Sequence, residues 1–137
     1  MRIEPHLTFR GDCEEAFQFY EKVLGGKIEM IQTHGESPMA DKVPANWRDA
    51  VLHARLKLGD HVLMASDAPP ERYHKPEGFH ISLQLSKPAD ADRIFGALAE
   101  NGSVEMPIQE TFWAQRFAML TDRFGIPWMI DVDKPSS

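Results

Sequence analysis

A chain of 137 residues, with 42% hydrophobic residues and 21 acidic against 15 basic side chains for a net charge of −6, can bury about two-thirds of its unfolded surface as one domain without staples. Its single cysteine, Cys13, excludes an internal disulfide and a cysteine-rich zinc site and fits a reducing cytoplasm. Scattered Lys and Arg argue against a nucleic-acid partner, which needs them on one face, and no apolar run approaches the roughly 18 residues of a membrane span; with no signal-peptide profile in MRIEPHLTF, a soluble cytoplasmic protein with no membrane partner is expected.

In chain order, 3–9 reads as a strand with Leu7 and Phe9 on one face and His6 and Thr8 on the other. Gly11 breaks it, Asp12 is placed to N-cap a helix, and Glu15 completes a capping-box pattern. Cys13, Ala16, Phe17, Tyr20 and Leu24 form its apolar stripe, with Cys13 a small core-facing residue, and Gly25-Gly26 stops it. A strand is expected over 27–33, a long loop over 34–48, and a hairpin from 51–58 and 61–66 turned by Gly59-Asp60. Pro69, Pro70 and Pro76 mark 68–77 as a linker between a module of about 1–67 and one of about 78–133.

In the second half a strand over 79–86 leads to a helix opened by Lys87-Pro88, with Ala91, Ile94, Phe95 and Leu98 as its stripe and Gly102 at its close. A strand over 103–108 precedes Thr111–Asp131, an aromatic lip (Phe112, Trp113) in front of a hairpin that holds two of the three tryptophans. That much aromatic area suits either the main core or the wall of a small-molecule pocket. The halves also match in letters: His6-Leu7-Thr8-Phe9 with His80-Ile81-Ser82-Leu83, Gly26 to Met30 with Gly102 to Met106, and Leu58-Gly59 with Leu63 or Met64 against Phe124-Gly125 with Met129. The order strand, helix, three strands, occurring twice, predicts an α+β fold of two tandem βαβββ modules whose curled sheets form an open, cleft-containing barrel-like arrangement.

This pattern resembles the vicinal oxygen chelate superfamily of glyoxalase I, bleomycin-resistance proteins and extradiol dioxygenases, and within it the PhnB-like branch. The resemblance is carried by Pro5 with Leu7-Thr8-Phe9, Gly11-Asp12-Cys13, Glu15-Ala16, Phe19-Tyr20, Gly25-Gly26, Ser37 to Ala40, Gly59-Asp60, Leu63 to Asp67, Thr111 to Trp113, Arg116-Phe117, Asp122, Phe124-Gly125 and Trp128-Met129. It implies a homodimer, and in metal-dependent members four ligands, mostly His and Glu, from the first, fourth, fifth and eighth strands. Here those positions fall on Pro5 (with His6 beside it), Leu63 or Met64, His80 and Met129, giving one imidazole and no carboxylate. Bringing His6 to the first position would take a one-residue slip, which turns every side chain of the strand over. A thioether is a poor ligand for a hard divalent ion, so no metal and no other cofactor is expected.

The leading reading is therefore a metal-independent small-molecule-binding protein with Met64, His80, Phe112, Trp113, Arg116 and Met129 at its ligand. His80 is the candidate acid or base, against a structural histidine, and His6 has the same options. Arg116 is placed either to grip a ligand carboxylate or phosphonate or to pair with a surface acid. Phe112 and Trp113 either close over a ligand or pack on a second subunit, Trp128 belongs to the core, and Glu29 and Glu105 face solvent. The alternative is an isomerase, lyase or transferase acting on a small oxygenated substrate through His80, with or without a metal held by His6 and His80. A methyltransferase is set aside, since no glycine-rich nucleotide motif follows a first strand in a βαβ unit.

Overall fold

The structure, a computed structural model, describes residues 1–135 and consists of two compact units, one from Met1 to His74 and one from Lys75 onward. The first holds β1 (His6–Phe9), α1 (Cys13–Leu24), β2 (Lys27–Thr33), β3 (Val51–Leu58) and β4 (His61–Asp67); the second holds β5 (Ile81–Leu85), α2 (Pro88–Ala99), β6 (Ser103–Gln109), β7 (Ala114–Thr121) and β8 (Pro127–Asp133). Each forms one four-stranded sheet, ordered β1-β4-β3-β2 and β5-β8-β7-β6. Only the β1–β4 and β5–β8 pairs are parallel. The fold is α+β with two tandem βαβββ modules, and neither sheet closes into a barrel.

Each sheet buries one face beneath its helix. In the first unit Leu7, Phe9, Ala54, Leu56, Leu63 and Ala65 are buried against Cys13, Ala16, Phe17 and Tyr20 of α1, with Phe9 and Phe17 edge to face at 6.3 Å. The last fully buried position of α1 is Val23, and Leu24, the final residue of the helix, is half-buried. Asp12 sits at the N-cap without a side-chain cap. The exposed backbone N–H groups are met instead from the end of β4, where Asp67 Oδ1 accepts from Gly11 at 2.8 Å and from Cys13 at 3.0 Å and its Oδ2 accepts from Val51 at 2.9 Å. One buried carboxylate thus ties β4 to α1 and β3. Burial and the Asp67 charge push the Cys13 thiol far above its ordinary range, so it is an inert core residue.

In the second unit Ala91, Ile94 and Leu98 of α2 are buried with Ala118, Leu120, Trp128, Ile130 and Val132 of the sheet. Trp128 is core, as expected. Its indole donates to Asp122 Oδ2 at 2.8 Å, and Asp122 Oδ1 accepts from Phe124 at 2.9 Å and Ile126 at 3.0 Å. The Asp122–Ile126 turn is therefore organised by its first side chain. Gly26 and Gly102 do the same work in the two units, since a Cβ would stand 2.6 Å from the Lys57 carbonyl oxygen in one and 2.4 Å from that of Thr121 in the other.

That glycine pair fixes the true alignment of the repeat. Lys57 corresponds to Thr121, so Met30 opposite Arg55 corresponds to Met106 opposite Met119. Arg55 opposite Met64 then corresponds to Met119 opposite Met129. His6 is beside Met64, whereas Ser82 is beside Met129. The structural counterpart of His6 is thus Ser82 and not His80: the letter match is displaced by two residues, a shift that preserves the face of every side chain and so hides in the pattern. The β3–β4 turn is also tighter than the β7–β8 turn, joining Leu58 to His61 where the latter joins Thr121 to Pro127. Leu58-Gly59 therefore has no counterpart in Phe124-Gly125.

Candidate functional site

Side chains alternate along a strand, so what is not under α2 lies on the other face of the second sheet. One row there runs Met106, Met119, Met129, Ser82 across β6, β7, β8 and β5. The next runs Gln109, Phe117, Asp131, Gln84. Met106, Met119, Phe117, Met129 and Asp131 are all half-buried, too exposed for core and too apolar, in the main, for a solvated face.

The aromatic lip borders this face. Thr111 shapes it, its Oγ1 accepting from the backbone of Trp113 at 3.3 Å and Ala114 at 3.0 Å. Phe112 is 88% exposed and Trp113 45% exposed. Their rings meet edge-on at 4.8 Å, and Trp113 meets Phe117 at 5.3 Å. A continuous aromatic strip therefore leads from the loop onto the sheet.

His80 lies just before β5, not within a longer strand as the pattern suggested. Its Nε2 is 3.2 Å from Glu105 Oε2, and Glu105 Oε1 accepts from Thr121 Oγ1 at 3.1 Å. Glu105, expected to be merely solvated, is half-exposed and holds an imidazole. Arg116 is elsewhere: it pairs with Val132 in register, and its Nε donates to Asp92 of α2 at 3.0 Å while Nη1 donates to the Gln115 carbonyl at 2.8 Å. It stands on the helix-covered side and is not brought to Met129, Trp113 or His80. Asp131 was not singled out in the sequence. Its Oδ1 is buried with no hydrogen-bond partner, and burial, then the charge of Asp133, raise its carboxyl above the ordinary range against a smaller pull from Gln84.

Met64 belongs to the first unit, on the face away from α1. Its row runs Met30, Arg55, Met64, His6. No register slip is needed to bring His6 beside Met64, because Leu7 and Phe9 face the helix rather than any cleft. His6 Nε2 is 3.0 Å from Ser66 Oγ, and burial, then the nearby His53, lower its proton affinity. Arg55 Nη1 reaches Met64 Sδ at 3.6 Å and stands 3.9 Å from Glu4, while Arg55 Nε stands 4.0 Å from Glu29.

The four positions implied for a divalent ion do not fit one. The Pro5 carbonyl is taken by the Met64 amide at 2.9 Å, Met64 and Met129 offer only thioethers, and His80 is engaged by Glu105. Among the described residues no three His, Cys, Asp or Glu side chains gather as a metal site.

The model of the Glyoxalase/Bleomycin resistance protein/Dioxygenase superfamily matches residues 2–130. The chain belongs to that superfamily. Protein YjdN of Escherichia coli is 36% identical over 98% of this chain and 97% of its own length. The crystal structure of PA1353 from Pseudomonas aeruginosa matches with a TM-score of 0.89 and 46% identity, covering 98% of this chain and 99% of that one. A PhnB protein from Bacillus cereus, described as a putative 3-demethylubiquinone-9 3-methyltransferase, matches with a TM-score of 0.82 at 22% identity over 96% and 99% of the two chains. At that identity the likeness carries the superfamily's fold and not a reaction. No helix among the described residues is long and apolar enough to cross a membrane.

Proposed function

We propose that this superfamily member is a metal-independent small-molecule-binding protein that takes a partly apolar ligand on the second unit's sheet, on the face away from α2. The observation that carries this is the register of Met106, Met119 and Met129 in one row, half-exposed and bordered by Phe117 and the exposed Trp113. Thioethers adapt to irregular apolar shapes, and aromatic rings supply rigid contact area, a combination suited to a ligand wall. Met64, beside His6, adds a thioether to the open face of the first unit, and the protein works as a homodimer. Titrating a broad panel of metabolites and drugs while following tryptophan emission tests the reading. A binder should change the emission of the native protein and not that of Trp113→Phe, whose remaining tryptophans include the fully buried Trp128. Emission unaltered across the panel, with calorimetry equally silent, overturns it.

One arrangement favours a second reading, an enzyme acting on a small oxygenated substrate. The Thr121–Glu105–His80 chain orients an imidazole at the end of the same face, as a general acid or base requires. His80→Gln would then abolish turnover while sparing ligand affinity. Stoichiometric Zn, Ni, Mn or Fe in protein purified without a histidine tag would favour this enzyme over the metal-independent binder.

A further inference from the structure

Asp131 is the one buried side-chain oxygen on the ligand-facing sheet surface described above that lacks a partner. It lies in register between Gln84 and Phe117, next in its row to the ring that Trp113 meets edge-on at 5.3 Å. A buried acceptor left unmade is costly, so folds seldom retain one without a use.

The surroundings specify what would satisfy it. None of the strand positions sharing this face in β5, β7 and β8 is Lys or Arg: they are Ser82 and Gln84, then Phe117, Met119 and Thr121, then Pro127, Met129, Asp131 and Asp133. Arg116, the basic residue nearest in sequence to Phe117, is turned to the other side and held by Asp92. The formal charges are Asp131 and Asp133, with Glu105 closing one end upon His80. Aromatic faces attract cations through their quadrupole, and thioethers tolerate apolar bulk beside them. An anion placed here would meet carboxylates and no positive strand side chain.

Resting on the proposed ligand face, we propose that the ligand class is an apolar or aromatic amine, whose ammonium pairs with the Asp131 carboxylate while its hydrocarbon part lies along Phe117, Met119 and Met129. Such a ligand supplies a donor to a carboxyl that is incompletely satisfied, is favoured by the carboxylates, and uses the aromatic strip for the bulk of its contact area. Burial and Asp133 keep a proton on this carboxyl more readily than usual, so an arriving ammonium displaces that proton or finds the ionised form already there.

A matched series separates this from the underlying reading. Calorimetric titration with 4-phenylbutylamine, 4-phenylbutan-1-ol and 4-phenylbutanoate holds the apolar part constant and changes only the head. The amine should bind at least tenfold more tightly than the alcohol, with the carboxylate weakest. Asp131→Asn should erase the preference for the amine over the alcohol, while Asp133→Asn, which removes the same formal charge from the same strand, should retain most of it. Equal binding of all three by the native protein overturns the amine assignment and leaves the apolar binding face standing. Binding by none of them, at concentrations where other panel members bind, also overturns it. An equal loss in both asparagine variants would trace the preference to net charge and equally overturn the role given to Asp131.

Discussion

Across the face away from the helix, the first unit presents Met30, Arg55, Met64 and His6 where the second presents Met106, Met119, Met129 and Ser82. The outer methionines are common to both rows, and what differs lies between and beside them: a guanidinium and an imidazole in one, a thioether and a hydroxyl in the other. Beneath the helices the two units agree, with Ala54 and Leu56 matched by Ala118 and Leu120, all fully buried. The duplicated backbone therefore fixes the packing, while the open faces carry opposite chemistry, basic in one unit and acidic with aromatic rings in the other.

The largest effects should come from the helix-covered side, and that is the first way to break the comparison. Asp67→Ala strands three backbone N–H groups, two of them in buried bonds. At about 1–3 kcal/mol for each buried donor left unmet, chemical denaturation should show a loss of about 3 kcal/mol or more. Asp122→Ala, which frees Phe124, Ile126 and the Trp128 indole, should cost about as much by the same reasoning. If either costs no more than a substitution on the open faces, packing and chemistry are not divided as described.

Much of that helix-covered side was legible in the sequence, because period-two and period-three-to-four apolar patterns are imposed by burial and burial is local to each element. Asp67 was not legible: its bond to Cys13 spans 54 positions, whereas the Asp12–Glu15 capping signature is local and forms no cap. The candidate site was read in part. Alternation along the strands sets Met64 and Met129 on the faces away from the helices, and it sets Arg116 on the helix-covered side. Its position two and four residues before the buried Ala118 and Leu120 was the available signal that it shares their face, and the irregularity between Ala114 and Arg116 obscured it. The same alternation, carried across from Met129, would have found Met119 and Asp131. The His80–Glu105 pair joins residues 25 apart across two elements, and no spacing rule reaches it.

Next in size are exchanges within the row. Met119→Arg gives the second unit the side chain of the first, and should reduce amine binding at least tenfold while leaving the protein folded. Arg55→Met makes the reverse change. Its acid partners stand at 3.9 and 4.0 Å, so stability should move by about 1 kcal/mol or less, as for exposed ion pairs, and amine binding should be unchanged. A strong effect of Arg55→Met on that binding would relocate the ligand to the first unit.

His6 supplies a smaller, pH-dependent difference between the rows. Its folded-state proton affinity is lowered by burial and by His53, so protonation favours the unfolded chain. The stability it contributes is present above the ordinary histidine range and declines as pH falls through that range towards the depressed value. Thermal melts from pH 8 to pH 5 should therefore lose less stability in His6→Gln than in the native protein. Parallel curves for the two would mean that the imidazole is as well hydrated in the fold as out of it.

The smallest effect should be that of Asp131 on stability, with the sign reversed. Its folded-state carboxyl holds its proton more tightly than an ordinary aspartate because of burial and Asp133, so stability is highest where both folded and unfolded states are protonated. As pH rises, the unfolded chain ionises first and gains on the fold until the native carboxyl ionises in turn. Above the ordinary aspartate range the native protein therefore bears the full cost of this carboxyl, which Asp131→Asn removes by putting a neutral group of the same shape in its place. The variant should melt slightly above the native protein at pH 7, and the gap should close at acid pH. Because this same change is expected to erase the preference for an amine, one side chain would be a small liability to the empty fold and the anchor of the occupied one, as expected of a group retained for recognition rather than for stability. A variant that melts lower at pH 7 would show Asp131 to be part of the scaffold instead.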